Sequence, residues 1–156
     1  MKACSVVLSL LAIVVIACTP PAKPLVSQNG IEIYQASVRL PGGGTSGIKS
    51  NTAILAGYML IKNTGSTNES LVGVHADFTN TAMFHQSSVN SNSVASMNML
   101  TSVDVPAGQT VEFKPGGLHI MFTGLRQNLK VGDTVPLILE FQNAGAISVL
   151  VEVTDR

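Results

Sequence analysis

Residues 134–154 read TVPLILEFQNAGAISVLVEVT, and this stretch decides the fold class. Apolar side chains occupy every second position from Val135 to Phe141 and again from Ile147 to Val153. A period of two is that of a strand with one buried face, whereas a helix would repeat every three to four residues. The intervening segment 143–145, Asn-Ala-Gly, offers residues that accept a positive φ. The stretch therefore predicts a β-hairpin.

Outward from this hairpin, the chain continues as short β-rich runs separated by Gly, Pro, Asn and Ser, with almost no helical periodicity. The candidate strands are residues 31–40, 53–63, 70–74, 81–86, 94–103, 110–114, 118–123, 134–141 and 147–154. The Ser- and Asn-rich segment 80–98 is predicted as a polar loop between two strands. The pattern predicts an all-β sandwich of about seven to nine strands.

The N-terminus reads as an export signal. A basic Lys2 precedes an almost wholly apolar run from Ser5 to Ile16, which is too short to span a bilayer comfortably. Ala17 and Cys18 follow directly and look like the lipobox of bacterial lipoproteins, in which the cysteine is acylated and becomes the anchor. We therefore expect a signal peptide at 1–17, an anchor and Pro-rich linker at 18–29, and one domain at 30–156. The alternative is an ordinary secretory signal with an incidental Cys18.

Composition excludes several classes of function. Nine Lys or Arg residues balance nine Asp or Glu residues, so no basic surface favours nucleic acid. The two cysteines are Cys4 in the signal and Cys18 at the anchor, which leaves the folded part without a thiol. Neither a nucleophile elbow nor a phosphate-binding glycine loop occurs, and the acidic residues are scattered. We therefore expect a binding protein rather than an enzyme.

Six side chains with soft donor atoms fall within residues 83–121. They are Met83, His85, Met97, Met99, His119 and Met121. Strand alternation places His119 and Met121 on one face, because they are two residues apart. Singly, each residue fits a structural role, since methionine fills irregular cores and a strand histidine is more often hydrogen-bonded. Together, imidazoles and thioethers without thiolate favour copper(I) over zinc, calcium or magnesium.

The spacing of four of these residues carries a specific resemblance. From His85 to Met121 the chain follows H-(M)-x10-M-x21-H-x-M, with the bracketed position occupied by Gln86. The accompanying segments are YMLIKN at 58–63, MNM at 97–99, VPAG at 105–108 and PGGLHIM at 115–121. In these features residues 30–153 resemble the periplasmic copper chaperones of the PCu(A)C type.

The resemblance implies a cupredoxin-like Greek-key β-sandwich that carries one copper(I) ion at a solvent-accessible site. It also implies delivery of the ion to a copper-bearing subunit of cytochrome c oxidase, outside the cytoplasm. The implied ligands are His85, Met97, His119 and Met121. Gln86 departs from the Met or Glu of relatives, so a contact there is left open, and Met99 is an accessory candidate. Met83 and His75 lie outside the pattern and are expected to be structural or surface residues.

Two other functions stay open at this point. An envelope copper storage or resistance protein would share the site but not the oxidase as recipient. A lipoprotein that uses its β-sandwich to bind a protein partner would need no metal, and its His and Met residues would be structural. A blue-copper electron carrier is excluded, because it requires a cysteine thiolate that the folded part lacks.

Overall fold

The computed structural model describes residues 23–41, 53–89 and 95–155, and all eleven strands lie within these ranges. The strands are β1 (Val26–Gln28), β2 (Ile31–Arg39), β3 (Ile54–Asn63), β4 (Glu69–His75), β5 (Thr79–Val89), β6 (Ala95–Leu100), β7 (Val103–Val105), β8 (Thr110–Phe113), β9 (Leu118–Leu125), β10 (Thr134–Phe141) and β11 (Gly145–Thr154). These residues contain no helix, and hence none that could cross a membrane. The all-β prediction is confirmed. The predicted signal peptide and Cys18 lie outside the described residues.

The strands form one continuous sheet in the order β6-β5-β9-β3-β2-β11-β10-β4-β7. β1 adds to β2 and β8 adds to β3. Among the described strands, β11 and β2 form the one parallel pair, and the other pairings are antiparallel. In this order β6, β5 and β9 are neighbours, and these three strands carry the four implied ligands.

One hydrophobic core lies under the sheet. In the hairpin of β10 and β11, Leu137 pairs with Val149 and Leu139 pairs with Ile147, and all four side chains are buried. This is the hairpin that the alternation at 134–154 predicts. On β9, Phe122 is buried against Phe78, with ring centroids 5.1 Å apart. Because every second side chain of the long strands enters this core, their other faces stay available for chemistry.

A close contact between β3 and β9 depends on a glycine. Gly57 pairs with Ile120, and a Cβ atom at position 57 would lie 2.8 Å from the ring of Phe122 and 3.3 Å from the Cβ of Ile120. Such distances are too short for ordinary carbon contacts. The absence of a side chain at Gly57 therefore leaves room for the Phe122 ring of β9. This close packing allows β9, the strand that carries His119, to pair with β3.

The structure corrects three expectations about the elements. The linker expected at 18–29 contains a strand, since Val26–Gln28 pairs with β2. The polar loop expected at 80–98 is mostly a hairpin, in which Thr79–Val89 pairs with Ala95–Leu100. The strand expected at 94–103 is two strands, because Ala95–Leu100 pairs with β5 whereas Val103–Val105 pairs with β4. Each error concerns a short or polar strand whose partner, rather than its own pattern, determines its conformation.

Candidate metal centre

Two cross-strand pairs on β5 and β9 form the base of the site. His85 pairs directly with His119, and Met83 pairs directly with Met121. Directly opposed residues of an antiparallel pair project to the same face, with Cβ atoms about 5 Å apart. The two imidazole rings lie edge to face, with centroids 5.8 Å apart and planes at 89°. His85 and Met83 of β5 therefore project to the same face of the sheet as His119 and Met121 of β9.

β6 adds two thioethers from the other side of β5. Met99 pairs with His85 and Met97 pairs with Ser87, so Met97 lies diagonally beside His85. The Sδ atom of Met97 is 3.1 Å from Nδ1 of His85. Both methionines are exposed, Met97 to 55% and Met99 to 63%, whereas His85 is exposed to only 8%. The arrangement places exposed methionine side chains beside a buried imidazole.

A backbone carbonyl orients the second imidazole. Nδ1 of His119 lies 3.0 Å from the carbonyl oxygen of Gly117, and the side chain is 8% exposed. A carbonyl oxygen only accepts, so Nδ1 carries the proton and donates it in this bond. In this neutral tautomer Nε2 of His119 keeps a free lone pair, so the ring can bind a metal through Nε2.

Electrostatics favours the neutral form of the other histidine. Burial lowers the pKa of His85 from its ordinary value of 6.5, and the nearby charge of His119 lowers the pKa further. A neutral imidazole has a lone pair for a metal, whereas a protonated one has none. The fold therefore keeps His85 in a form that can bind a soft cation near neutral pH.

A cavity of about 400 Å³ opens beside these residues. Met97, His119 and Met121 line one side of it. Arg39, Tyr58 and Ile54 line other parts. Of these last three residues, only Tyr58 belongs to a segment that carries the family resemblance, YMLIKN at 58–63. Their position follows from the pairing of β2, β3 and β9, and no local pattern in the sequence indicates that pairing.

The structure also shows which candidates stay apart. Gln86 follows His85 on the strand and so projects to the other face, where its amide donates to the carbonyl of Ser87 at 2.9 Å. His75 lies on β4, with Nε2 at 3.3 Å from Oε2 of Glu140. In the part of the chain that the structure describes, no group of three His, Cys, Asp or Glu side chains could hold a metal ion. The donor set at this face is therefore imidazole and thioether.

Comparison with known proteins places the chain in a family. A family model described as "Putative lipoprotein LpqE-like" matches residues 31–153, which is most of the chain. The chain belongs to the LpqE-like family. A curated relative of this LpqE-like chain is "Putative lipoprotein Lxx21020" of Leifsonia xyli subsp. xyli. The two are 27% identical over 127 residues, which cover 81% of this chain and 71% of the relative.

Solved structures share the fold of the LpqE-like chain. The copper-bound PCuAC domain from PmoF2 superposes with a TM-score of 0.66 at 21% identity, over 84% of this chain and 97% of that domain. The solution structure of CuI-DR1885 from Deinococcus radiodurans gives a TM-score of 0.58 at 23% identity, over 80% of this chain and 79% of that one. The resemblance to PCu(A)C-type domains that the sequence motif predicts is thereby confirmed, and with it the cupredoxin-like β fold.

Proposed function

We propose that this LpqE-like chain is an exported, lipid-anchored metallochaperone that binds one copper(I) ion and passes it to another protein. The proposed ligands are His85, Met97, His119 and Met121. The proposed acceptor is a copper-bearing subunit of cytochrome c oxidase on the periplasmic or other extracytoplasmic side of the membrane. The proposed anchor is acylated Cys18.

The contact between His85 and Met97 is the observation that carries this proposal. These two residues are 12 positions apart in the chain, yet Nδ1 and Sδ approach to 3.1 Å. Two donors that bond one metal ion at about 2.0–2.3 Å each lie about 3.5 Å apart at a tetrahedral angle, so a small outward movement of the methionine sulfur would let both bind one ion. His119 stands edge-on to His85 on the same face, and its free Nε2 provides a second nitrogen. Met121, two residues further along β9, provides a second sulfur on that face.

The chemistry of this donor set supports copper(I) as the cargo. Thioether sulfur and neutral imidazole are ligands for a soft monovalent ion, and neither brings a charge to the site. An exported protein with thiolate ligands would be exposed to oxidation and disulfide formation, whereas thioethers resist disulfide chemistry. The exposure of Met97 gives an acceptor direct access to one ligand.

The relatives support the same proposal through their names. Copper is stated to be bound in the PCuAC domain from PmoF2, and copper(I) in DR1885. The LpqE-like family and its relative in Leifsonia xyli are both described as lipoproteins, which supports anchoring through Cys18.

A competition titration tests the proposal. A soluble form, residues 23–156, contains every described strand and the whole described core, so it is expected to fold without the N-terminus. This form is titrated with copper(I) in the presence of a colorimetric chelator. The expected result is one tight equivalent of copper.

Two matched variants decide which thioether is used. Met97→Leu and Met99→Leu change exposed methionines of the same strand and face. We expect Met97→Leu to weaken copper(I) binding by at least about tenfold. Replacement of a residue that only supports a metal ligand already lowers metal affinity by about this factor. Met99→Leu should stay within about threefold, because its sulfur lacks the contact that Met97 makes. Absence of a tight equivalent in the unmodified protein, or equal effects of the two changes, would contradict the assignment.

A transfer assay separates a chaperone from a storage protein with the same site. The copper-loaded soluble form is mixed with the apo copper-binding domain of the oxidase subunit, and the copper content of both is measured after separation. Net transfer at a rate that rises with acceptor concentration supports a chaperone. Retention of the ion until the acceptor is in large excess would favour storage.

A further inference from the structure

A row of paired residues links the copper site to a cation two strands away. Arg39 on β2 pairs with Ala56 on β3, Ala56 pairs with Met121 on β9, and Met121 pairs with Met83 on β5. Residues paired in this way project to one face of the sheet. Since strands lie about 4.8 Å apart, the backbones of Arg39 and Met121 are about 10 Å apart, with only the methyl group of Ala56 between them.

Ala56 lines the cavity of about 400 Å³ beside the copper site. Arg39 and Tyr58 reach the cavity from β2 and β3, and Met97, His119 and Met121 reach it from the copper site. Among the described residues that line the cavity, Arg39 is the one with a formal charge. Within the described residues, no ion pair engages its guanidinium. The cavity thus presents two kinds of donor atom to the same space: soft metal ligands at one side and cationic N–H groups at the other.

We propose that this cavity receives the copper-acceptor protein, and that the segment that enters it carries a carboxylate two residues from a soft ligand. This inference rests on the function proposed above and names the chemistry of the partner at that site. The guanidinium of Arg39 binds the carboxylate, which places the soft ligand beside Met121. In an extended segment, side chains two residues apart lie on one side with Cα atoms about 7 Å apart. The long side chains of Arg39 and Met121 cover the rest of the 10 Å span.

The exchange that this position allows is a ligand substitution without redox chemistry. A bond forms between copper(I) and the incoming thiolate sulfur, and a bond between copper(I) and a methionine sulfur breaks. The thiol proton goes to solvent, and the copper stays monovalent throughout. Arg39 takes no part in bonding the metal, so it acts as a positioning residue for the incoming segment.

Two blocked tripeptides test the proposal on the copper-loaded soluble form. Cys-Gly-Glu and Cys-Gly-Gln carry the same thiol and differ only in the carboxylate. The measured quantity is the rate at which each peptide removes copper(I) from the protein. At low ionic strength, we expect Cys-Gly-Glu to remove copper about fivefold faster, which is the size of effect that a partly exposed charge pair supplies. Added salt should reduce this ratio, because the Debye length falls to about 3 Å at 1 M.

The variants show whether Arg39 is responsible. In Arg39→Gln the ratio of the two rates should fall to about one, and Arg39→Lys should keep part of it because the charge remains. Arg126→Gln removes the same charge from a residue beyond the far end of β9 and should keep the full ratio. Copper(I) affinity should be unchanged in all three. A ratio that is the same in the unmodified protein and Arg39→Gln, or that Arg126→Gln abolishes equally, would overturn the carboxylate subsite. A protein that never loads copper would instead refute the function proposed above.

Discussion

Replacement of Glu69 by glutamine is expected to destabilise the fold while leaving the copper site intact. Glu69 is 8% exposed at the start of β4, and its carboxylate holds the turn between β10 and β11. Oε1 accepts from Ser70 N at 3.2 Å and from Asn143 N and Nδ2, each at 2.9 Å. Oε2 accepts from Ala144 N at 2.7 Å. One carboxylate therefore satisfies four donors.

The magnitude follows from these four bonds. A glutamine that keeps its oxygen toward Asn143 turns an NH₂ group toward the N–H of Ala144, so one charge-assisted bond becomes a contact between two donors. The loss of that bond costs about 1.5–3 kcal/mol, and the remaining three bonds weaken without the charge. We expect a total loss of about 3 kcal/mol in the free energy of unfolding, or roughly 12 °C in the melting temperature.

The pH dependence of the same variant gives a second readout. Burial raises the pKa of Glu69, but the hydrogen bonds from Asn143, Ala144 and Ser70 outweigh it and leave the pKa below its ordinary value of 4.5. The stability that this carboxylate contributes is therefore fully present above about pH 4.5. It is lost as the pH falls through the lowered pKa of the folded state. The difference between the two proteins should accordingly shrink in acid.

Urea unfolding of the unmodified protein, Glu69→Gln and the control Glu152→Gln measures this effect at neutral and acidic pH. Glu152 is exposed on β11 and its replacement should change stability by less than about 0.5 kcal/mol. Copper(I) affinity should be the same in all three proteins, because Glu69 lines a different cavity from the ligands. A loss below about 0.5 kcal/mol in Glu69→Gln at neutral pH, or a loss that persists unchanged in acid, would refute the reasoning.

Three further predictions concern the site and its strand. Copper(I) affinity should change little above neutral pH and fall as the pH drops through the pKa of His85, which burial lowers from its ordinary value of 6.5, because the protonated ring has no lone pair for the metal; a chelator titration from neutral to acidic pH checks it, and a flat profile would exclude ligation by His85. Gly57→Ala should cost about 1–3 kcal/mol in urea unfolding, since its Cβ would meet the Phe122 ring at 2.8 Å; an unchanged midpoint would contradict the close contact. Gln86→Met should leave copper(I) affinity within about twofold, because this side chain lies on the other face of β5; a tenfold gain would show that position 86 reaches the metal.

Local pattern was enough to predict the elements that bury a regular face. The alternation from Val135 to Val153 predicts a hairpin, and β10 and β11 form it. It was not enough for Val26–Gln28, a three-residue strand after a proline whose partner β2 supplies its hydrogen bonds. Within 80–98 the pattern predicts a polar loop although strands are expected on both sides of it, because Ser and Asn are common to exposed strands and turns, and the structure continues β5 and β6 into this segment as a hairpin.

The candidate site shows the same division. The spacing of His85, Met97, His119 and Met121 selects four residues from the sequence alone. Their arrangement depends on non-local pairing, because the register between β5 and β9 sets His85 opposite His119. The cavity beside them depends on two further pairings, which bring Arg39 to the same face. No motif near Arg39 indicates this neighbour, since strand order is a property of the whole sheet.

The nature of the atoms around bound copper tests the central proposal most directly. X-ray absorption at the copper edge of the soluble form, loaded with one equivalent of copper(I), distinguishes nitrogen from sulfur ligands. We predict both nitrogen and sulfur neighbours in the unmodified protein, a loss of sulfur signal in Met97→Leu, and an unchanged spectrum in Met99→Leu. A copper environment with nitrogen or oxygen alone, or one that neither variant alters, would contradict the proposed imidazole and thioether site.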